Sequence, residues 1–338
     1  MFSTVTTLLL LLAFQAETDS DAFLAAKKLG KGVNLGNMLE APTEGAWGLR
    51  VEADYFPTIK QAGFDHVRIP VRWSAHIQGG DDVRIDPAFA RRVDFAIDQS
   101  LKNGLAVVLN VHHYEEVDQD PTTHLPRLRK LWARLGERYQ ELPVSVYFEL
   151  LNEPHGKLDE PQWSNSLPDL LATVRETNPN RFVIIGPTRW NNVTALPTLK
   201  LPPEDRRIIA TFHYYSPFEF THQGASWVAN SGRWKGTTWT ATDSQLAAVR
   251  GDFDKAQAWS KANQRPLYLG EFGAFSAADM NSRASWTRAI VREAEARGFA
   301  WCYWEFASGF GAFDPQTKDW RDPLLSALIP GSASARRR

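Results

Sequence analysis

The chain has 338 residues, of which 38 are Lys or Arg and 39 are Asp or Glu, for a formal net charge of -1. There is no basic excess to neutralise a phosphate backbone or an anionic membrane surface, so we expect neither nucleic acid nor membrane as a partner. The single cysteine, Cys302, cannot form an internal disulfide, and its apolar neighbours predict a buried thiol. The 13 tryptophans are flat rings with one polar edge, a type suited to binding sugars.

The N-terminus carries an apolar run over residues 8–14, with small or polar residues after it. This pattern is typical of a signal peptide and its cleavage site, and the run is too short to cross a bilayer. We therefore expect residues 1–16 to be a signal peptide and the protein to be secreted, either extracellular or periplasmic. Residues 17–330 are expected to form a single domain, and residues 331–338, ending in three arginines, a flexible tail.

Strand-like and helix-like stretches alternate along the rest of the chain. The helical segment 87–103 has Phe89, Val93 and Ile97 at every fourth position, as one buried helix face requires, and segment 281–297 has the same pattern. Eight such repeats predict an α/β fold of the (β/α)8 TIM barrel type. A doubly wound sheet is the alternative, but no glycine-rich phosphate loop follows the first strand. The strand-like runs are 32–37, 65–70, 105–112, 144–152, 182–187, 207–215, 266–272 and 300–306.

Polar residues gather at the C-terminal end of these runs, where a barrel holds its active site. Because strand side chains alternate, His213 and Tyr215 should share one face of the sixth strand. The candidates in chain order are Asn37, Glu40, Arg68, His112, His113, Asn152, Glu153, His213, Tyr215, Glu271 and Trp304.

Several reaction classes lack the residues they need. His112 and His113 are adjacent and should point to opposite faces, and no His-x-His or His-Glu-x-x-His spacing occurs, so we expect no metal and no other cofactor. There is no Gly-x-Ser-x-Gly elbow for acyl transfer. Glu153 and Glu271 remain as a reacting pair. Two carboxyl groups hydrolyse a glycosidic bond with retention when ~5–5.5 Å apart, and with inversion when ~6.5–9.5 Å apart.

Six short motifs together resemble glycoside hydrolase family 5, over residues 32–330. The stretches 37–42 and 213–224 are similar to its bacterial endo-β-1,4-glucanases, specifically the subfamily that includes thermophilic enzymes active on both glucan and mannan. The motifs are Val67-Arg68-Ile69-Pro70, His112-His113, Asn152-Glu153-Pro154, His213-Tyr214-Tyr215, Gly270-Glu271-Phe272-Gly273 and Trp304-Glu305.

The resemblance implies a role for each motif. Glu153 would be the acid/base and Glu271 the nucleophile, with Arg68 and Tyr215 donating hydrogen bonds to Glu271. Asn152 would bind the 2-hydroxyl of the sugar at the cleavage point. His213 would lie near Glu153, His112 and His113 would bind sugar hydroxyls, and Trp304 would stack under the reacting ring. Subsite roles are implied for Asn37, Glu40, His222 and Trp227, whereas we expect Glu149 and Glu305 to be structural.

The function expected from these motifs is retaining, endo-acting hydrolysis of β-1,4-linked glucan by a monomer, with mannan left open as a second substrate. Gluco and manno sugars differ in the orientation of one 2-hydroxyl, and the sequence does not indicate which one the site accepts. The alternatives are a β-mannanase, an exo-acting β-glycosidase and a non-catalytic carbohydrate-binding barrel. The last would keep an aromatic cleft but lose one of the two glutamates.

Overall fold

The computed structural model describes residues 21–79 and 82–332. The expected signal peptide, 1–16, lies outside the described residues, as does the segment 333–338 of the expected tail. None of the helices in the described ranges has both the length and the apolar character needed to span a membrane.

Eight parallel strands close into a barrel, which confirms the predicted TIM barrel. The first strand, Lys31–Asn34, pairs with the second, His66–Ile69, on one side and with the eighth, Ala300–Tyr303, on the other, and this last pairing closes the sheet. The strands are shorter than the apolar runs suggested, so most polar motifs lie in the loops just beyond them. The strands are β1 (Lys31–Asn34), β2 (His66–Ile69), β3 (Ala106–Asn110), β4 (Val146–Glu149), β5 (Val183–Ile185), β6 (Ile208–His213), β7 (Leu267–Glu271) and β8 (Ala300–Tyr303).

Helices surround the barrel, and several have clear start signals. Asp86 accepts hydrogen bonds from the first-turn N–H groups of the helix Pro87–Lys102. Asp159 and Thr242 form capping boxes at the helices Glu160–Thr177 and Asp243–Asn263. The α-helices are α1 (Asp21–Leu29), α2 (Tyr55–Ala62), α3 (Pro87–Lys102), α4 (Glu115–Gln119), α5 (Pro121–Tyr139), α6 (Glu160–Thr177), α7 (Thr188–Asn191), α8 (Phe218–Thr221), α9 (Asp243–Asn263), α10 (Met280–Ala296) and α11 (Asp322–Leu328).

The fifth repeat departs from the regular pattern. Between β5 and β6 the described chain forms only the four-residue α7 and the 3-10 helix Val193–Thr198. Pro197, Pro202 and Pro203 lie in this segment, and each lacks the N–H that a longer helix would need. Two further 3-10 helices are Trp73–His76 and Ser231–Trp234. Two small hairpins pair Ile77–Gln78 with Arg84–Ile85 and Phe313–Asp314 with Asp319–Trp320.

Helix α1 closes the N-terminal end of the barrel. Its Ala22, Ala25 and Leu29 are buried and pack with residues from the strand starts, such as Ile209 and Tyr268. Burying these apolar surfaces leaves the opposite end, where the polar motifs gather, as the open mouth of the barrel.

Candidate active site

Arg68 is the centre of the charge network at the barrel mouth. Its guanidinium is fully buried and donates two hydrogen bonds to Glu149, at 2.6 and 2.8 Å, and one to Asn34, at 2.9 Å. Asn34 in turn donates to the carbonyls of Gly270 and Tyr303, which ties β1 to β7 and β8. A buried guanidinium needs such complete pairing, because burial penalises its charge. The arrangement fixes the direction of the remaining N–H groups of Arg68.

Those remaining N–H groups point at two of the predicted site residues. Arg68 donates to Oε1 of Glu271 at 2.7 Å and to Oδ1 of Asn152, also at 2.7 Å. The Tyr215 hydroxyl donates to the other Glu271 oxygen at 2.9 Å. A hydrogen-bond donor on each of its two oxygens therefore fixes the orientation of the Glu271 carboxylate. The amide nitrogen of Asn152 has no hydrogen bond within the described residues and remains available as a donor.

Glu153 follows β4 on a tight turn. Its backbone has a positive φ of 46°, which turns the side chain into the mouth. Asp118 stabilises the turn because its carboxylate accepts a hydrogen bond from the N–H of His155 at 2.9 Å. His155 also contacts the Glu153 carbonyl through its ring at 2.7 Å. The Glu153 carboxylate lies 2.7 Å from Nδ1 of His213.

The environments of the two glutamates favour different protonation states. Burial raises the pKa of Glu153 to about 7, although its side chain is 24% exposed at the mouth. Burial also raises the pKa of Glu271, but His213, Arg68 and Tyr215 oppose that rise. Only Glu271 accepts hydrogen bonds from a guanidinium and a phenol, and donors to a carboxylate stabilise its ionised form. Glu271 therefore ionises before Glu153 as the pH rises.

His213 lies between the two carboxylates. Its Nδ1 is 3.6 Å from Glu271 and its Nε2 is 3.4 Å from the amide nitrogen of Asn191. Burial lowers the pKa of His213 to about 4, so the ring is neutral near pH 7. Gly270 makes room for this ring, because a Cβ at that position would lie 3.0 Å from Nε2 of His213.

Gly273 likewise makes room for a neighbouring group, in this case the backbone at the end of the last strand. A Cβ there would lie only 2.0 Å from the Trp304 carbonyl oxygen. The two glycines that flank Glu271-Phe272 therefore allow β6 and the end of β8 to approach the nucleophile candidate closely.

Trp304 and the adjacent histidines form one side of the mouth. The rings of Trp304 and His112 are stacked at 5.7 Å with 12° between their planes. The expectation that His112 and His113 point to opposite faces is wrong, since their rings meet edge to face at 4.6 Å. Strand alternation no longer applies there, because β3 ends at Asn110 and His113 has a positive φ of 49°. Burial lowers the pKa of both histidines, so both are neutral near pH 7.

The loop after β1, which holds Asn37 and Glu40, lies against Trp304, because a Cβ at Gly36 would be 3.1 Å from that ring. Within the described residues no hydrogen bond or ion pair joins Asn37 or Glu40 to the glutamate pair. Glu40 is fully buried and accepts hydrogen bonds from the N–H groups of Asn37 and, at 3.0 Å, Met38. Burial raises its pKa to about 8. Glu305 is likewise buried and accepts from the N–H groups of Ala307, Ser308 and Phe310, consistent with the structural role expected for it.

His222 and Trp227 lie on the other side of the mouth, in the loop after β6. The His222 ring meets Tyr215 edge to face at 4.9 Å and is stacked on Phe218 at 4.0 Å. Trp227 is 60% exposed and packs edge-on against Phe275 at 5.0 Å. Trp227 therefore lies at the solvent-facing rim of the mouth, whereas His222 contacts the tyrosine that donates to Glu271.

Four residues that the sequence analysis did not assign to the site complete it: Asn34, Glu149, Asn191 and Trp190. Glu149 has the structural role expected for it, since it is buried and fixes the guanidinium that contacts Glu271. Trp190 is 56% exposed, its ring stacks on His155 at 4.7 Å, and its backbone N–H donates to the Pro154 carbonyl. Asn34 could have been found from the sequence, because it lies among other polar residues at the end of its strand. Asn191 could not, because no charged residue marks the strand end that it follows.

The glutamate pair and His213 also have the spacing of a cation site. One ligand atom from each of Glu153, His213 and Glu271 lies within 4.8 Å of the others. The buried Arg68 guanidinium already donates to Glu271, however, and its positive charge opposes a second cation on the same carboxylate. The donor set therefore suits a proton better than a metal ion.

Comparisons with known proteins agree with this arrangement. Residues 27–309 match the family model of the cellulases, glycosyl hydrolase family 5. Endoglucanase H of Acetivibrio thermocellus is 38% identical over 320 residues, which cover 92% of this chain and 34% of that protein. This chain thus spans about a third of the length of that relative.

Two solved structures of Thermotoga maritima Cel5A are similar over the whole barrel. The complex with mannotriose has a TM-score of 0.90 and 45% identity, and the alignment covers 91% of this chain and 100% of that one. The complex with cellobiose has a TM-score of 0.90 and 46% identity at the same coverage. With the matched barrel and the paired glutamates at its mouth, this chain belongs to glycosyl hydrolase family 5, the cellulase family.

Proposed function

We propose that the chain is a retaining endo-β-1,4-glucanase in which Glu153 is the acid/base and Glu271 the nucleophile. The observation that carries this proposal is the short separation of the pair, with one oxygen from each carboxylate within 4.8 Å of the other. A gap of this size suits direct attack on the anomeric carbon, whereas inversion needs ~6.5–9.5 Å to fit a water molecule.

The chemistry proceeds in two steps with the protons already in place. Glu153, whose pKa of about 7 keeps it largely protonated below neutral pH, donates its proton to the leaving oxygen while ionised Glu271 attacks. Glu153 then removes a proton from the water that hydrolyses the glycosyl ester. The free amide N–H of Asn152, held by Arg68, binds the 2-hydroxyl and strengthens that contact as the sugar flattens.

Aromatic side chains around the mouth support cleavage within a chain of sugars. Trp304 is stacked on His112, and Trp47 meets His113 edge-on at 5.8 Å. Trp190 lies beside the turn that holds Glu153. Trp47, Trp190 and Trp227 are 42%, 56% and 60% exposed. Exposed indoles offer apolar faces for stacking, and their spread on three sides suits a substrate longer than one sugar.

The polysaccharide that the site accepts is β-1,4-glucan, with β-mannan as a second substrate. Support comes from Thermotoga maritima Cel5A, which has been crystallised with cellobiose and with mannotriose.

The apolar run within residues 1–16 supports the proposal that this segment directs export of the protein to the compartment where such polymers occur. Mass measurement of the secreted protein tests this, and retention of residues 1–16 in the mature form contradicts it.

The experiment for the proposed function compares wild type with Glu271→Ala on carboxymethylcellulose, barley β-glucan and mannan. Reducing-sugar release and viscosity are followed in parallel. We expect rapid loss of viscosity before monosaccharide accumulates, abolished by the substitution. Monosaccharide release with little change in viscosity would instead support an exo-acting β-glycosidase. Hydrolysis of mannan alone would support a β-mannanase. No activity on any of the three polymers would support a carbohydrate-binding role.

A further inference from the structure

The two nitrogens of the His213 ring face different partners. Nδ1 lies 2.7 Å from Oε1 of Glu153, and Nε2 lies 3.4 Å from the amide nitrogen of Asn191. A neutral imidazole has one donor and one acceptor nitrogen, so the group that faces Nε2 decides what Nδ1 does. Burial keeps His213 neutral near pH 7 by lowering its pKa to about 4.

Asn191 is held in this position by unusual local structure. It is fully buried and is the third of three consecutive residues with positive φ, at 60°, 57° and 52°. Asparagine tolerates this left-handed region better than most residues. A Cβ at Gly186 would lie 2.1 Å from the Asn191 side-chain oxygen, so the glycine makes room for the amide. Asn192, the next residue, forms a bridge with His213 itself.

The amide shows which of its atoms is used. Nδ2 of Asn191 faces the histidine, while Oδ1 has no hydrogen-bond partner among the described residues although it is buried. An unpaired buried carbonyl oxygen costs free energy, so the arrangement is retained at some expense in stability. In this orientation the amide N–H donates to Nε2, and Nδ1 carries the ring proton.

We propose that Asn191 is a positioning residue that fixes the Nδ1–H tautomer of His213 and thereby directs the acid proton to Oε2 of Glu153. Nδ1–H donates to Oε1, so that oxygen remains an acceptor in both protonation states of Glu153. Oε2 has no hydrogen bond within the described part of the chain and is the oxygen left to hold the proton for the leaving group. This inference rests on the proposed function, because it assigns Glu153 as the acid.

The substitution Asn191→Asp replaces the donor by an acceptor of nearly the same shape. The new carboxylate can only accept a hydrogen bond, so Nε2 of His213 must carry a proton to pair with it. Two states of the ring satisfy this. In the neutral Nε2–H tautomer the proton has moved from Nδ1 to Nε2, and Nδ1 then accepts a hydrogen bond from a protonated Oε1 of Glu153. In the doubly protonated ring Nδ1–H is kept, and the positive charge holds Glu153 as a carboxylate. In both cases proton donation to the leaving group is impaired, whereas the nucleophile Glu271 keeps its own two donors.

The kinetic test compares two β-cellobiosides that differ only in leaving group. Phenol is a poor leaving group that needs the acid, whereas 2,4-dinitrophenol departs without it. For Asn191→Asp we expect kcat/KM to fall ~30-fold or more on the phenyl glycoside and to change less than ~3-fold on the dinitrophenyl glycoside, given that general acids contribute ~10²–10⁴-fold. The control is Asn192→Asp, an exposed neighbour whose side-chain oxygen accepts from Thr194 and can still do so as a carboxylate.

If kcat/KM of Asn191→Asp falls equally on both substrates, Asn191 only stabilises the site. If kcat/KM is retained on both, Asn191 does not act through Glu153. Either result overturns the proposal. A wild type inactive on both glycosides would instead contradict the proposed function. The nitrogen-15 NMR spectrum of the wild-type His213 ring provides a second readout that needs no activity. We expect the Nδ1–H pattern, and an Nε2–H pattern would overturn the inference.

Discussion

Arg68 and Glu149 form two parallel hydrogen bonds at the centre of the barrel, at 2.6 and 2.8 Å, and both side chains are fully buried. Such paired contacts hold a guanidinium in one plane. One N–H of the same guanidinium contacts Glu271, so the fully buried Glu149 controls the direction of the donor that orients Glu271.

Replacing Glu149 by Gln leaves the buried charge of Arg68 with one neutralising carboxylate fewer. Breaking a buried ion pair on one side costs ~3–5 kcal/mol, and we expect the free energy of unfolding to fall by roughly that amount. Denaturant titration measures it. The matched control is Glu137→Gln, whose partner Arg134 is 49% exposed and whose loss should cost less than ~1 kcal/mol. Equal effects of the two substitutions would contradict the account.

The pH dependence of activity follows from the order in which the glutamates ionise. Glu153 must be protonated in the first step, and its pKa is about 7, so kcat/KM on β-glucan should fall about tenfold per pH unit well above pH 7. The control substrate is a dinitrophenyl cellobioside, whose leaving group departs without a proton from Glu153. On this substrate kcat/KM should not fall as the pH rises above 7. An alkaline limb that persists unchanged on the activated substrate would assign the titration to another group.

The pH dependence of stability follows from Glu40 and Glu305. Their pKa values rise from an ordinary 4.5 to about 8 and about 7, so between those limits the folded chain binds more protons than the unfolded chain. The stability that these groups contribute is therefore greatest below pH 4.5 and decreases as the pH rises toward 8. For each group the decrease is at most ~1.4 kcal/mol per pH unit.

The substitution Glu40→Gln removes the group with the higher pKa and should flatten this decline. Denaturant unfolding at pH 5 and pH 8.5 measures the difference, with exposed Glu116→Gln as the control. A decline that is as steep in Glu40→Gln as in wild type would show that Glu40 ionises normally in the folded protein.

The proposed chemistry uses two carboxylates and water, so removal of metal ions should leave it intact. We expect unchanged β-glucan hydrolysis after dialysis against EDTA, because Arg68 already supplies positive charge at Glu271. A large loss that added metal restores would instead assign Glu153, His213 and Glu271 to a cation site, as their spacing within 4.8 Å permits.

The sequence predicted the barrel well because buried parallel strands form apolar runs that are easy to recognise. It predicted which strand ends carry polar residues, but strand alternation failed at His113, where a positive φ turns the chain. The structural role expected for Glu149 fits its buried contact with Arg68, but counting residues along β4 does not reveal that this partner reaches it from β2. Asn191 was missed since its position depends on three left-handed residues and on the space beside Gly186, neither of which has a sequence pattern.

Retention through Glu271 requires a covalent glycosyl ester on that residue, and trapping this ester is the decisive experiment. A 2-deoxy-2-fluoro-β-cellobioside with a dinitrophenyl leaving group slows hydrolysis of the ester more than its formation, and mass spectrometry of digested protein then locates the sugar. We expect one fluorocellobiosyl group per chain on the peptide that contains Glu271, and none in Glu271→Ala. A label on Glu153, or an active enzyme that forms no ester and releases the α-anomer, would rule out Glu271 as the nucleophile of a retaining enzyme.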